Sequence, residues 1–72
     1  MHRIDEYDAA DLLLYRIRGE FLESPGLRLT LDQAARLWHM DAATCASVLM
    51  QLVADRFLTR NRKGAYVRLD QA

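Results

Sequence analysis

Residues 30–55, TLDQAARLWHMDAATCASVLMQLVAD, decide the fold because they encode two helices joined by a tight turn. Thr30 and Gln33 have the spacing of a capping box, in which each side chain hydrogen-bonds the backbone amide of the other. This signal predicts a helix over 31–38. After the turn at His39-Met40, Asp41 is a good N-cap for a further helix over 42–55.

Each of these two helices has one apolar side, and the spacing of three to four residues predicts which side packs in the core. In the helix 31–38 the apolar residues are Leu31, Ala34, Leu37 and Trp38. In the helix 42–55 they are Cys45, Val48, Leu49, Leu52 and Val53. The lone Cys45 is therefore expected to be a buried, inert thiol, and Trp38 a core residue.

Upstream of this pair, the periodicity predicts a first helix over 5–23 that ends at Ser24-Pro25-Gly26. Its core face is expected to consist of Tyr7, Ala10, Leu14, Ile17 and Phe21, with Leu13 at the margin. Three acids, Asp5, Glu6 and Asp8, suit the positive end of its dipole. The short segment Leu27–Leu29 is predicted to be extended and to form an edge strand.

Downstream, two alternating segments predict an antiparallel hairpin over 57–69, called the wing below. Its strands are expected at Phe57–Asn61 and Ala65–Leu69, and Gly64 is placed for a left-handed turn residue. Since Tyr66 and Val67 are adjacent, one of the two is predicted to face outwards, where it would pack or lie along a nucleic-acid backbone.

Helices joined by a short turn and followed by a hairpin give an α+β arrangement that resembles the winged helix-turn-helix family. The similarity runs over Leu27–Leu69, about 43 of the 72 residues, and the helix before it corresponds to the usual first helix. The chain also resembles small bacterial winged-helix proteins of poorly assigned function, through its PGLRLT lead-in and its GAYVR wing end. The implied fold is a single domain of three helices with a two- to three-stranded sheet.

The resemblance implies binding of duplex DNA, as a small transcriptional regulator or a nucleoid-type protein. The helix 42–55 would be the recognition helix in the major groove, and the wing would contact phosphates. The base-facing candidates are Ala42, Ala43, Thr44, Ser47 and Gln51. The candidates for phosphate contact are Arg36, Arg60, Arg62, Lys63 and Arg68.

Two positions depart from the family pattern. The exposed face of the helix 42–55 is mostly alanine, and only Gln51 could pair in a bidentate manner with adenine. Arg56 stands where many members have the glycine that closes the recognition helix, so that this helix ends differently or Arg56 adopts a left-handed conformation. An alternative hypothesis is therefore a winged-helix module that docks a protein and binds no DNA.

The distribution of charge favours the DNA hypothesis. Ten basic and ten acidic residues cancel over the chain, yet residues 1–24 sum to −3 and residues 25–72 to +3. The segment 56–68 holds five bases and no acid. A basic hairpin tip suits phosphate binding, although charges of this kind also protect short strands from edge-to-edge association.

The first helix has a second apolar stripe, opposite its core face. It is formed by Leu12, Tyr15, Gly19 and Leu22, with a heptad-like spacing. The stripe predicts a homodimer through this helix, since small domains gain from a partner subunit. Alternatively, Tyr15 and Leu22 cover the wing or the chain ends within one molecule.

The remaining composition argues against other classes of protein. Cys45, His2 and His39 are too few and too badly spaced for a structural zinc site, so no metal or other cofactor is expected. No nucleophile lies near a plausible base, so no enzyme activity is expected. The apolar runs are too short to span a membrane, and no secretory signal is visible. A cytoplasmic location is the expectation.

Overall fold

The computed structural model describes residues 9–72, which form three helices and a two-stranded antiparallel sheet. The helices are α1 (Ala9–Glu23), α2 (Leu31–Leu37) and α3 (Ala42–Ala54). The strands are β1 (Leu58–Arg60) and β2 (Tyr66–Arg68), and a 3₁₀ turn (Leu69–Gln71) follows. This α+β arrangement is consistent with a small winged-helix-like fold.

The element boundaries differ slightly from those predicted. The predicted start of the first helix lies outside the described residues, while its end at Glu23 is confirmed. The other two helices are each one residue shorter than predicted, because Trp38 and Asp55 are C-caps rather than helical residues. The strands have three residues each instead of five, and Leu69 begins the 3₁₀ turn.

Both predicted helix caps are present. The Thr30 hydroxyl accepts a hydrogen bond from the Gln33 amide at 3.2 Å, and the Gln33 side chain accepts one from the Thr30 amide at 2.9 Å. The Asp41 carboxylate accepts hydrogen bonds from the Thr44 amide at 2.9 Å and the Thr44 hydroxyl at 2.8 Å. These bonds fix where α2 and α3 begin.

The C-terminal ends of α2 and α3 share one geometry, in which a non-glycine residue has a positive φ. Arg56 has φ 63° after α3, and His39 has φ 53° after α2. At the end of α3, the Phe57 amide donates to the Leu52 carbonyl and the Arg56 amide to the Val53 carbonyl, both at 3.0 Å. This is the Schellman motif. Arg56 thus adopts the left-handed conformation, one of the two outcomes left open by the sequence.

The wing hairpin has a fixed register, with Thr59 opposite Val67 and Arg60 opposite Tyr66. On its other edge, Tyr66 forms a single antiparallel bridge with Leu29, through hydrogen bonds of 2.7 and 3.2 Å. The expected edge strand over Leu27–Leu29 is therefore reduced to this one bridge.

The core lies between the three helices and the hairpin. Its most completely buried large side chains are Phe21, Ile17, Leu49, Leu52 and Leu58. Trp38 is buried, and its ring meets that of Phe21 edge to face, with centroids 6.1 Å apart. Cys45 is buried as well, and this burial, followed by the charge of Asp41, raises the pKa of its thiol.

Two predictions about packing are wrong. Leu37 was expected in the core but is 54% exposed. It lies six residues after Leu31, about 240° around the helix, so Ala35 completes the core side of α2 instead. Tyr66 and Val67 are both buried, although one was expected to face outwards. Tyr66 packs in the core, so its ring is not an exposed stacking surface.

Candidate nucleic-acid interface

The turn at the tip of the wing is organised by the side chain of Asn61. Its Oδ1 accepts hydrogen bonds from the amides of Lys63 at 3.0 Å and Ala65 at 2.9 Å. The Asn61 carbonyl accepts from the Gly64 amide at 2.9 Å, and its own amide donates to the Ala65 carbonyl at 2.8 Å. Gly64 has φ 84°, as expected for the left-handed residue of this turn. The turn thus has a defined backbone on which side chains are displayed.

Three cations surround this turn. Arg60, Arg62 and Lys63 are all exposed. The Arg60 guanidinium lies 5.7 Å from the centroid of the Tyr66 ring, and its Nε donates a long hydrogen bond of 3.5 Å to the Gly64 carbonyl. No hydrogen bond or ion pair joins the side chain of Arg62 or Lys63 to another residue in the range 9–72. Their charges are therefore directed to solvent and are available to an anion.

The other two phosphate candidates lie apart from this group. Arg68 is at the opposite end of β2 from the turn, and it donates to the Asp70 carboxylate at 2.6 Å. Its guanidinium also lies 6.0 Å from the Phe57 ring centroid. Arg36 is exposed in the last turn of α2, and its side chain has no hydrogen bond, ion pair or ring contact with residues 9–72. The structure thus brings together Arg60, Arg62 and Lys63 only.

The exposed face of α3 carries little hydrogen-bonding capacity for bases. Ala42, Ala43, Ser47 and Gln51 are exposed and Thr44 is half-buried. The Thr44 hydroxyl donates to Asp41, and the Gln51 side-chain amide donates to the Asp55 carboxylate at 3.0 Å. The side chains of Thr44 and Gln51 are therefore already hydrogen-bonded to acidic residues, one at each end of the helix.

Four of the five base-facing candidates line a groove between α3 and α1, of about 650 Å³. They are Ala43, Thr44, Ser47 and Gln51. The wall across from them is formed by Asp11, Leu13 and Leu14 of α1. The face of α3 is thus the floor of an open groove with an acidic residue on its far wall.

Helix α3 has no charged residue along its length, and it has an aspartate at each end, Asp41 as N-cap and Asp55 as C-cap. The backbone hydrogen bond from Thr44, followed by the hydroxyl hydrogen bond from the same residue, lowers the pKa of Asp41. The Asp41 carboxylate therefore stays ionised at neutral pH. Asp55 places a second carboxylate at the other end of the helix, next to the exposed Arg56.

Sequence reasoning missed the Gln51–Asp55 hydrogen bond, although the four-residue spacing of the pair is one at which helical side chains meet. It also missed the cation–π contact of Arg18, whose guanidinium lies 5.0 Å from the Phe57 ring centroid. That contact forms beside a second groove of about 530 Å³ between α1, the end of α3 and Phe57. The Arg18–Phe57 contact joins elements that are distant in sequence, so no local sequence pattern predicts it.

Comparison with protein-family models, with curated proteins and with solved structures finds no match to this chain. Within residues 9–72, no group of three His, Cys, Asp or Glu side chains is placed to hold a metal ion. None of the helices in the described part of the chain has the length and apolar character needed to cross a bilayer.

Proposed function

We propose that this chain is a DNA-binding winged-helix protein, a small regulator or nucleoid-type protein, that grips the phosphate backbone with its wing. The observation that carries the proposal is the group of three exposed cations on the turn braced by Asn61. A preformed turn loses little conformational entropy on binding, and a hairpin tip reaches beyond the surface of the domain. Lys and Arg side chains in this position gain affinity by releasing counterions from DNA.

The same site is suited to binding with low sequence preference. Base readout needs free donors and acceptors in the major groove, whereas Gln51 and Thr44 are engaged by Asp55 and Asp41. Phosphate contacts position a protein but carry no sequence information directly. Affinity would therefore come from the wing, and any sequence preference from DNA shape or from few contacts by α3.

The test is fluorescence anisotropy of a labelled random duplex, titrated with the protein over a series of salt concentrations. Three neutralised phosphates give an expected log–log slope of about −3, since each contributes about −0.9. The triple variant Arg60→Ala/Arg62→Ala/Lys63→Ala should lose most of this slope. The matched comparison is Arg62→Ala against Arg28→Ala, which removes the same charge from an exposed position outside the wing.

The expected result is that Arg62→Ala lowers the slope by about one and Arg28→Ala leaves it unchanged. Circular dichroism and thermal melting of each variant establish that the fold is retained. Absence of binding by the wild type at low salt, or an equal effect of the two single variants, would refute a phosphate-binding wing.

A second candidate function is a protein-interaction module, and the face of α3 favours it. Met50 is 64% exposed, with Ala46 one turn and Ala42 two turns before it on the same side of the helix, and Asp41 and Asp55 place a carboxylate at each end. This surface fits a partner with an apolar centre and a basic rim. Amide chemical shifts recorded during a DNA titration separate the two functions, because only DNA binding moves the resonances of 60–64.

A further inference from the structure

Helix α1 has two apolar faces, and only one of them is buried by the part of the chain that the structure describes. Ile17 and Phe21 are fully buried in the core. On the other side, Leu12 is 58% exposed, Tyr15 67% and Leu22 49%. No part of the chain that the structure describes covers these three side chains. The stripe Leu12, Tyr15, Gly19 and Leu22 is called the outer stripe below.

The outer stripe has the geometry of a packing seam. Its residues are spaced by three, four and three positions, which is the a-d-a-d spacing of a heptad repeat. At this spacing side chains follow nearly one line along the helix, and a second helix can lie against that line. A scattered set of exposed apolar residues would have no such alignment.

One flank of the seam is complementary in charge to itself. It has Arg16 and Glu23, one base and one acid seven residues apart, whereas Arg18 on the other flank lies over the Phe57 ring. When two copies lie antiparallel, each flank faces the same flank of the other copy in reverse. Arg16 then comes near Glu23 of the partner subunit. The side chains of Arg16 and Glu23 have no hydrogen bond or ion pair with residues 9–72.

The order of large and small residues selects the antiparallel arrangement. The pairs Leu12–Leu22 and Tyr15–Gly19 are both centred on Ile17. A two-fold axis at that level places the Tyr15 ring on the partner's Gly19 and Leu12 on the partner's Leu22. A Cβ atom at Gly19 would meet no atom of residues 9–72 within 4 Å, so these residues leave the space above this glycine open to a ring. A parallel pair would instead place Tyr15 on Tyr15 and leave a gap between the two glycines.

We propose that the outer stripe binds a second copy of this chain, in an antiparallel two-fold dimer with Tyr15 on the partner's Gly19. One helix face is smaller than the roughly 800 Å² per partner of a standard interface, so we expect a dissociation constant of about 10–100 µM. The proposal is independent of the proposed function, because it uses no residue of the wing and its test contains no DNA.

The test is sedimentation equilibrium of the full chain from about 5 µM to about 1 mM, a range that spans the expected dissociation constant. The weight-average mass should rise from 8.3 kDa towards twice that value. Gly19→Leu should raise the dissociation constant at least about tenfold, because a side chain there meets the Tyr15 ring of the partner. Gly19→Leu should not destabilise the isolated domain, since no described residue occupies the space and leucine favours a helix.

Charge reversal tests the flanks. Glu23→Arg should weaken association severalfold, and the double variant Arg16→Glu/Glu23→Arg should restore it, since the swap rebuilds the pair between copies. If Glu23 acts only within one molecule, the double variant should not restore association.

Disulfide trapping tests the orientation. A Leu12→Cys chain mixed with a Leu22→Cys chain should form the mixed disulfide dimer under mild oxidation, and neither alone should form one efficiently. Cys45 does not interfere because it is buried. A wild-type mass of 8.3 kDa at every concentration, unimpaired association of Gly19→Leu, failure of the charge swap to rescue, or efficient self-crosslinking of Leu12→Cys would each overturn the proposed dimer.

Discussion

The side-chain amide of Gln51 donates a hydrogen bond to the Asp55 carboxylate at 3.0 Å, one turn further along α3. This bond occupies the only residue on the face of α3 that could pair in a bidentate manner with adenine. Asp55 also adds negative charge where the helix would approach DNA. The pair therefore opposes both base reading and phosphate binding by α3, and it makes the wing the stronger candidate for DNA contact.

Removal of this acid should strengthen DNA binding. In Asp55→Ala, Gln51 is released and one negative charge is lost, so we expect affinity for a random duplex to rise up to about fivefold, as for an exposed charge pair of about 1 kcal/mol. The measurement is anisotropy at low salt. Asp32→Ala removes an exposed acid from α2 and is the control for net charge alone. An equal gain in the two variants would show that Gln51 and Asp55 have no special role.

The side chain of Asn61, which accepts two backbone hydrogen bonds in the wing turn, gives a prediction about stability. Asn61→Ala leaves the amides of Lys63 and Ala65 without their side-chain acceptor. We expect a loss of about 1–2 kcal/mol, measured as a lower midpoint in urea. Asn61→Asp keeps an acceptor oxygen and should retain most of the stability, but it should weaken DNA binding by adding a negative charge among the wing cations. Equal destabilisation by alanine and aspartate would contradict this role of the side chain.

The positive φ angles of Arg56 and Gly64 predict that substitutions at these two positions change stability in opposite directions. Arg56→Gly relieves a left-handed conformation that costs a non-glycine residue about 1 kcal/mol, so the melting temperature should rise by a few degrees. Gly64→Ala imposes the same conformation on alanine and should lower stability by about 1–2 kcal/mol.

Gly26→Ala is the control for these two variants. Gly26 has no positive φ, and a Cβ there meets no atom of the described residues within 4 Å. The melting temperature of Gly26→Ala should equal that of the wild type or be slightly higher. Thermal melts of the three variants give the comparison, and a fall in stability for Arg56→Gly would show that the Arg56 side chain stabilises the fold by more than its backbone strain costs.

The N-cap of α3 predicts a dependence of stability on acid. Hydrogen bonds from Thr44 hold the pKa of Asp41 below its usual value of 3.8 in the folded state. A depressed folded pKa means that the stabilisation is complete above the unfolded pKa and is lost as pH falls through the folded one. The melting temperature of the wild type should therefore exceed that of Asp41→Ala at neutral pH, and the difference should shrink below a pH of about 4. Asp41→Asn keeps an uncharged cap, and its difference from alanine should not change with pH in this range.

The elements of this fold were predictable where their signals are local. The caps at Thr30 and Asp41 involve residues three positions apart, so sequence spacing alone locates the starts of α2 and α3. Gly64 in the wing turn is another local signal of this kind. The burial of Ile17, Phe21 and Cys45 followed from the periodicity of their helices.

What could not be predicted depends on packing between distant segments. The Leu29–Tyr66 bridge replaces the expected strand at Leu27–Leu29, because pairing length is set by how two remote segments meet. The prediction that Leu37 is a core residue was wrong because it gave more weight to the apolar side chain than to the angular position of Leu37 around α2. At the candidate site, the basic turn was identified, while the engagement of Arg68 by Asp70 depends on the 3₁₀ turn that replaces the end of the predicted strand.

The left-handed ends of α2 and α3 have a consequence for how this sequence can evolve. Natural proteins lie close to the stability threshold at which most substitutions become harmful. Here His39 and Arg56 occupy backbone positions that favour glycine, so two single substitutions would each supply a margin of stability without altering the exposed face of α3. With such a margin, polar or basic side chains could replace alanine on that face without loss of the fold. Under the proposed function, a preferred DNA site could then arise in few steps.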